Sequence, residues 1–165
     1  MKIQKRRKNE NKTDYLKRIK LLKSGSPRIV FRKTNKYITA QYIKSKEAQD
    51  KVEVGITSKS LIKYGWPKEL KGSLKSIPAS YLTGLLIGKK IVRKKFEKPI
   101  ADFGMIRVLH KNRAFSFLKG LKDSGIKVEC KEEFFPTEDK IKGEHLKKDF
   151  SKIFEGIKSK IENEK

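Results

Sequence analysis

The sequence predicts an α/β domain in which an antiparallel β-meander is followed by helix, strand, helix and strand, giving a mixed sheet with helices packed on it. Three observations predict this class. Three β-branched and aromatic segments, 28–32, 37–43 and 51–56, follow one another across short polar intervals. Two helical stripes of apolar residues come next, each followed by a short apolar segment of strand length. The length of 165 residues suits one domain with tails.

The first element is a short amphipathic helix from about Asp14 to Lys23. Tyr15, Ile19 and Leu22 recur at spacings of three to four, and Ser24-Gly25-Ser26-Pro27 ends the helix. Ahead of Thr13 there is almost nothing to bury, so no folded structure is expected there until a partner is met. In the meander, Tyr37 to Ile43 is rich in residues that favour strands, and Val52, Val54 and Ile56 alternate as a half-buried strand does. The intervals Lys33 to Lys36 and Lys44 to Asp50 read as its polar connections.

A short polar helix around Ser58 to Tyr64 leads through a loop holding Trp66, Pro67 and Gly72 to the longest helical signal. Ser76 suits the cap and Pro78 the first turn, where a missing N–H costs nothing. Ala79, Leu82, Leu85, Leu86, Lys89 and Val92 mark a stripe running to about Phe96, and Pro99 stops it. Ile100 to Phe103 reads as a short buried strand. A second helix runs from about Arg113 with Ala114, Phe117, Leu118 and Leu121 on one side, stops at Gly125, and leads into a last strand, Ile126 to Glu129. Phe134-Phe135-Pro136 opens a polar loop, and a C-terminal helix is expected from about Gly143 through His145, with Leu146, Phe150, Ile153, Phe154 and Ile157 at helical spacing. Three regions result: a basic arm over 1–26, an α/β core over 27–130, and a loop with a helix over 131–165.

Charge narrows the partner. The chain carries 43 Lys and Arg against 19 Asp and Glu, a net charge of +24 whose self-repulsion a polyanion would relieve. Residues 1–36 hold 14 basic and 2 acidic side chains, half of the excess, whereas 131–165 hold nine of each sign. A one-signed run of that length points to nucleic acid or an anionic surface, not to a solvated face. Membrane is the weaker reading, because the apolar stretch around Leu85 to Ile87 is far below the roughly 20 residues of a spanning helix. No apolar region follows the N-terminal charges, so a secretory signal is not expected and a cytoplasmic location is. The single cysteine, Cys130, reads as a small core or edge residue, and with two histidines it cannot complete a four-ligand zinc site.

Catalytic patterns are weak. Gly84-Leu85-Leu86-Ile87-Gly88-Lys89-Lys90 has too short a glycine spacing for a phosphate-binding loop and lies inside a helix, so its glycines read as close helix-packing positions. A nuclease needs carboxylates converging on divalent metal, and Glu53, Asp102 and Asp123 are a sparse set for it. His110 and His145 have no nucleophile or paired acid at a recognisable spacing. No cofactor, metal site or catalytic residue is expected. By contrast, Lys and Arg interleaved with Tyr15, Tyr37, Tyr42, Asn35 and Gln41 suit RNA, where cations meet phosphates, rings stack on unpaired bases and amides read base edges. Tyr37 and Tyr42, five apart in a strand, are expected on opposite faces, so that at most one is core.

Four stretches carry a family resemblance: Thr13-Asp14-Tyr15 with 21–25 and Pro27-Arg28; Ile29-Val30-Phe31-Arg32-Lys33-Thr34-Asn35-Lys36; Tyr64-Gly65-Trp66 leading to 77–86; and 117–125 followed by Phe135-Pro136 and Lys142-Gly143-Glu144-His145. In this order they resemble the archaeal and eukaryotic branch of large-subunit ribosomal protein eighteen, numbered five in eukaryotes. The resemblance implies a ribonuclease-H-like core of the translational machinery without nuclease activity. It implies 5S ribosomal RNA in the central protuberance as principal partner, with large-subunit ribosomal RNA and neighbouring ribosomal proteins around it and no homo-oligomer. The RNA-facing residues it implies are Arg6, Arg7, Lys8, Lys12, Tyr15, Arg18 and Lys23 on the arm, with Arg28, Arg32, Lys33, Asn35, Lys36 and Tyr37 on the sheet edge and turn. The chain departs from the family where a glycine- and threonine-rich turn is shortened to Met105–Arg113, and where Cys130 stands in place of a histidine. The competing readings are a metal-dependent RNA nuclease on the same scaffold and an RNA chaperone acting outside the ribosome.

Overall fold

The β-branched and aromatic segments of the first third form the sheet. Strand β1 (Arg28–Lys33) pairs antiparallel with β2 (Ile38–Lys46), and β2 with β3 (Gln49–Thr57). Strand β4 (Ile100–Asp102) returns after a helix to lie parallel to β1, so the order is β3-β2-β1-β4 and the sheet is mixed. The computed structural model describes residues 3–47, 49–107, 109–144 and 150–164. The α/β class and the meander are as the sequence predicts. The interval Lys44–Asp50, however, is no polar loop: β2 and β3 run on as a ladder pairing Lys44 with Lys51, Ser45 with Asp50 and Lys46 with Gln49. A register shift at Tyr42/Ile43 leaves Glu53 as the extra residue, so Val54 and Ile56 are buried while Val52 is 47% exposed.

Helix α3 (Ile77–Arg93) crosses the sheet. Ser76 caps it, its side chain accepting from Ala79 N at 3.4 Å, and Pro78 occupies the first turn. The expected stripe is too narrow, because α3 is covered on several sides by β2, β3 and further helices. Residues 78–88 and Ile91 are all buried, and the small polar members bond inward, Ser80 Oγ to Arg113 O at 2.6 Å and Thr83 Oγ1 to Ala79 O at 2.7 Å. Val92, expected in the stripe, is exposed, and the helix ends before Phe96. Helix α4 (Arg113–Asp123) is capped by Asn112, which accepts from Ala114 N at 2.8 Å and Phe115 N at 3.3 Å. Its backbone lies against α3 at Gly84 and Gly120, where a Cβ would strike the carbonyl oxygens of Phe117 and Tyr81. The glycines of 84–88 are therefore packing positions, as expected.

Three further expectations are corrected. β4 is an edge strand that is only part-buried, its Ile100 being exposed. Ile126–Glu129 forms no strand: Ile126 N is already used by the turn closing α4, donating to Leu121 O at 3.3 Å, and Ile126 and Val128 pack their side chains on the core. The C-terminal region holds α5 (Glu138–Lys142) and α6 (Phe150–Asn163), not one helix from Gly143, whose φ of 78° ends α5. His145 and Leu146 lie outside the described residues. Phe150 and Phe154 of α6 meet Trp66 and Tyr81 edge-on or tilted, at 5.1 and 5.6 Å between ring centres.

Candidate nucleic-acid interface

The basic arm folds back on the β1–β4 end of the sheet. Helix α2 (Tyr15–Lys23) forms where the sequence predicts a helix, and Asp14 caps it, its Oδ1 accepting from Lys17 N at 3.1 Å. Ahead of it, where no folded structure is expected, Arg6–Asn9 make one exposed helical turn, α1. Arg7 Nε donates to Thr13 Oγ1 at 3.0 Å, and Lys5 Nζ lies 4.6 Å from the centre of the Tyr15 ring.

Side chains at positions 17 and 18 tie α2 to the core. Lys17 Nζ donates to Gly104 O at 3.3 Å, and Arg18 Nη2 pairs with Asp50 Oδ2 at 3.2 Å. Asp50 also accepts from Arg28 Nη2 at 2.6 Å and from Ser45 Oγ at 2.7 Å. Asp102, at the end of β4, pairs with Arg28 Nη1 and Arg32 Nη2, each at 3.4 Å, and accepts from Gly104 N at 2.8 Å. Burial alone would raise the Asp50 carboxyl, but hydrogen bonds from Ser45 and Arg28 and the charges of Arg28 and Arg18 outweigh it, holding it below its ordinary value. Between α2 and the sheet lies a cleft of about 130 Å³ whose cationic lining is Arg7, Lys12, Lys17, Arg18, Arg28 and Arg32, against two carboxylates, Asp14 and Asp102.

The expected contact residues fall into three environments. Arg6, Arg7, Lys8, Lys12 and Lys23 are exposed on the arm, with Lys12 2.7 Å from Glu10 Oε2; Tyr15 and Arg18 are half-buried. Lys33, Asn35 and Lys36 project from the β1–β2 turn, closed by Thr34 N donating to Tyr37 O at 2.8 Å, and Arg32 is half-buried at its base. Arg28 departs from the expectation. Its residue is 3% exposed and its Nη groups serve Asp50 and Asp102, so it joins strands and does not face outward.

Of the two tyrosines near β2, at most one of which is expected in the core, Tyr42 is the core residue. Tyr42 is wholly buried, stacks on Phe96 at 5.0 Å and donates to Glu97 O at 3.1 Å. Tyr37 precedes the strand and is only part-buried, with its ring against the margin of the same core. Residues the sequence did not single out are Lys17, Asp50 and Gly104. Lys17 differs from its basic neighbours only by helical phase. Asp50 sits between Gln49 and Lys51 with Glu47 and Glu53 three residues away, so nothing in the local sequence separates it from the other acids.

The carboxylates weighed for metal chemistry are engaged elsewhere. Glu53 pairs with Lys51 at 3.0 Å, Asp102 with the two arginines, and Asp123 accepts from Tyr81 Oη at 2.6 Å. Among the described residues no three His, Cys, Asp or Glu gather to hold a metal, and no helix is long and apolar enough to cross a membrane. His110 stacks on Phe134 at 4.0 Å. Cys130 packs at the core's margin, where burial pushes its thiol up despite Lys122.

A family model described as ribosomal large subunit proteins 60S L5 and 50S L18 matches residues 1–101. The chain is 43% identical over 145 residues to large ribosomal subunit protein uL18 of Korarchaeum cryptofilum, spanning 88% of this chain and 72% of that protein. It is 40% identical over 141 residues to the uL18 protein of Methanoculleus marisnigri, spanning 86% and 78%. With that of Caldivirga maquilingensis it shares 40% over 146 residues, spanning 88% and 69%.

Proposed function

The chain belongs to the family of ribosomal large-subunit proteins 60S L5 and 50S L18, and from that premise we propose that it binds 5S ribosomal RNA and anchors it in the central protuberance. It is a structural component of the large ribosomal subunit, with ribosomal RNA and ribosomal proteins as its partners.

One observation carries the finer reading: the six cations lining the α2–sheet cleft adjoin Asp102 and β1, and β1 leads directly into the exposed Lys33, Asn35 and Lys36 of its turn. A polyanion following that surface meets ordered cations, while an uncommitted charge run would offer only non-specific attraction. In this reading residues 1–26 are the RNA-binding arm, 27–130 the core that presents the turn, and 131–165 the neutral region turned to protein neighbours. Arg6, Arg7, Lys8, Lys12, Arg18, Lys23, Arg32, Lys33 and Lys36 contact phosphates, Tyr15 and Tyr37 offer ring edges or faces, and Asn35 reads sugar or base. Arg28 positions its neighbours. The arm supplies affinity through counterion release and the sheet turn supplies register.

Filter binding tests this with 5S RNA against an unrelated RNA of equal length across a salt series. The expected result is tighter binding of 5S RNA, with log affinity falling by roughly 0.7 to 0.9 per log salt for every phosphate contacted. Equal affinity for both RNAs, or no salt dependence, overturns the proposal.

A further inference from the structure

We propose that the ring of His110, backed by Phe134, is a stacking platform for one unpaired base of ribosomal RNA, on a surface that includes none of the RNA-facing residues assigned above. This rests on the ribosomal RNA reading and adds a contact of another kind to it, to a base and not to a phosphate.

The geometry is that of an ordered platform. His110 lies on Phe134 with ring centres 4.0 Å apart and planes 20° from parallel, and Phe115 stands edge-on to both rings at 5.8 and 5.7 Å. Lys111 N donates to Phe134 O at 2.8 Å, and Asn112, the next residue, caps α4. Phe115 is buried in the core and Phe134 packs part-buried against it, whereas His110 is exposed. One face of the imidazole is therefore covered by Phe134 while the residue stays open to solvent. A ring already held by two others loses little freedom when a further ring stacks on it.

The surrounding charge selects the occupant. No Asp or Glu occurs from Gly104 to Lys122, and Arg107, Lys111 and Arg113 all lie within three residues of His110. Arg107 and Lys111 are exposed. Of the two acids preceding Phe134, Glu132 is held by Lys122 at 2.9 Å, which leaves Glu133 against these cations. Met105 and Leu109 of the same loop are 52% and 53% exposed and add apolar surface. A flat ring among cations suits a nucleobase joined to its phosphate, because every base has a π face. An apolar protein neighbour would bring no counter-charge to Arg107 and Lys111.

The full chain tests this in two steps. The aromatic C–H resonances of His110 are followed while a single-stranded oligoadenylate is added, and again with an abasic ribose-phosphate chain of equal length. A saturable upfield shift is expected with the oligoadenylate and none with the abasic chain, since only a base carries a ring current. No shift with the oligoadenylate, or an equal shift with both chains, overturns the platform.

Affinities of the wild type, His110→Ala and His110→Phe are then measured for 5S RNA and for large-subunit ribosomal RNA. Loss of one stacked base should weaken His110→Ala roughly 5- to 150-fold on the RNA that supplies the base, with the log–log salt slope unchanged. His110→Phe should bind as the wild type does. The RNA on which affinity falls identifies the source of the base. Unchanged affinity of His110→Ala for both RNAs overturns the proposal and leaves Met105 and Leu109 to a protein neighbour. A loss that His110→Phe shares in full makes the contact polar and overturns stacking. Absence of wild-type binding to either RNA sinks the broader ribosomal RNA reading, and the oligoadenylate shift still decides the platform.

Discussion

Arg28 carries a charge that sequence inspection assigns to a partner, and its surroundings assign it to the fold. Its side chain is 4% exposed between Asp50 and Asp102, and Asp102 is almost as deeply buried. Arg28→Met should destabilise the protein by about 3 kcal/mol in urea unfolding, chiefly because the buried Asp102 charge would lose one of its two arginine partners. Asp50→Asn should cost less, since that carboxylate is better solvated. The depressed Asp50 carboxyl contributes stability above its unfolded value that is lost as pH falls through the lower folded value, so this joint opens only in acid. Two phenols have the opposite sign. Burial first, then the hydrogen bond to Glu164, pushes Tyr64 up to about 12, and burial followed by the bond to Asp123 raises Tyr81. Both favour the protonated phenol in the folded state, so stability is full below the ordinary value near 10 and declines as pH rises from there through the folded values. Tyr81→Phe should cost about 1 kcal/mol at neutral pH and flatten part of that alkaline decline, as read by denaturation at pH 8 and 11.

At the level of elements, the α3–α4 contact depends on absent side chains. Gly84 and Gly120 each bring one helix onto the backbone of the other, and a backbone neighbour cannot rotate aside. Gly120→Ala should destabilise by about 3 kcal/mol, the upper range for overpacking, in thermal or urea unfolding. Gly156 in α6 has nothing within 4 Å of an added Cβ, so Gly156→Ala should stabilise by about 0.5 to 1 kcal/mol. The helix boundaries at Asp14, Ser76 and Gly125 were legible because caps and stops act within one turn of chain. The width of α3's buried face was not, because it depends on how many elements surround the helix. Ile126–Glu129 misled for the same reason: an apolar segment of four residues suits a strand or a packed coil equally, and only its spent amide decides.

Across the whole molecule, the arm and the core are tied by few side chains, among them Arg18 to Asp50 and Lys17 to Gly104. Helix α1 has no buried residue, so removing residues 1–12 should weaken 5S RNA binding while leaving the unfolding midpoint unchanged. An unchanged affinity would remove the arm from the interface. The full chain should also sediment with large subunits through a sucrose gradient. The sequence by itself determined the anionic partner, the family, the meander and the helices, because charge density, motif order and periodicity are properties of neighbouring residues. Only the tertiary structure decided which cations remain available. Arg28 and Asp102 are 74 residues apart along the chain, Tyr42 and Glu97 are 55, and Lys17 and Gly104 are 87. Alternation along a strand says which face a side chain takes, but a distant segment decides whether that face meets water, a carboxylate or the core.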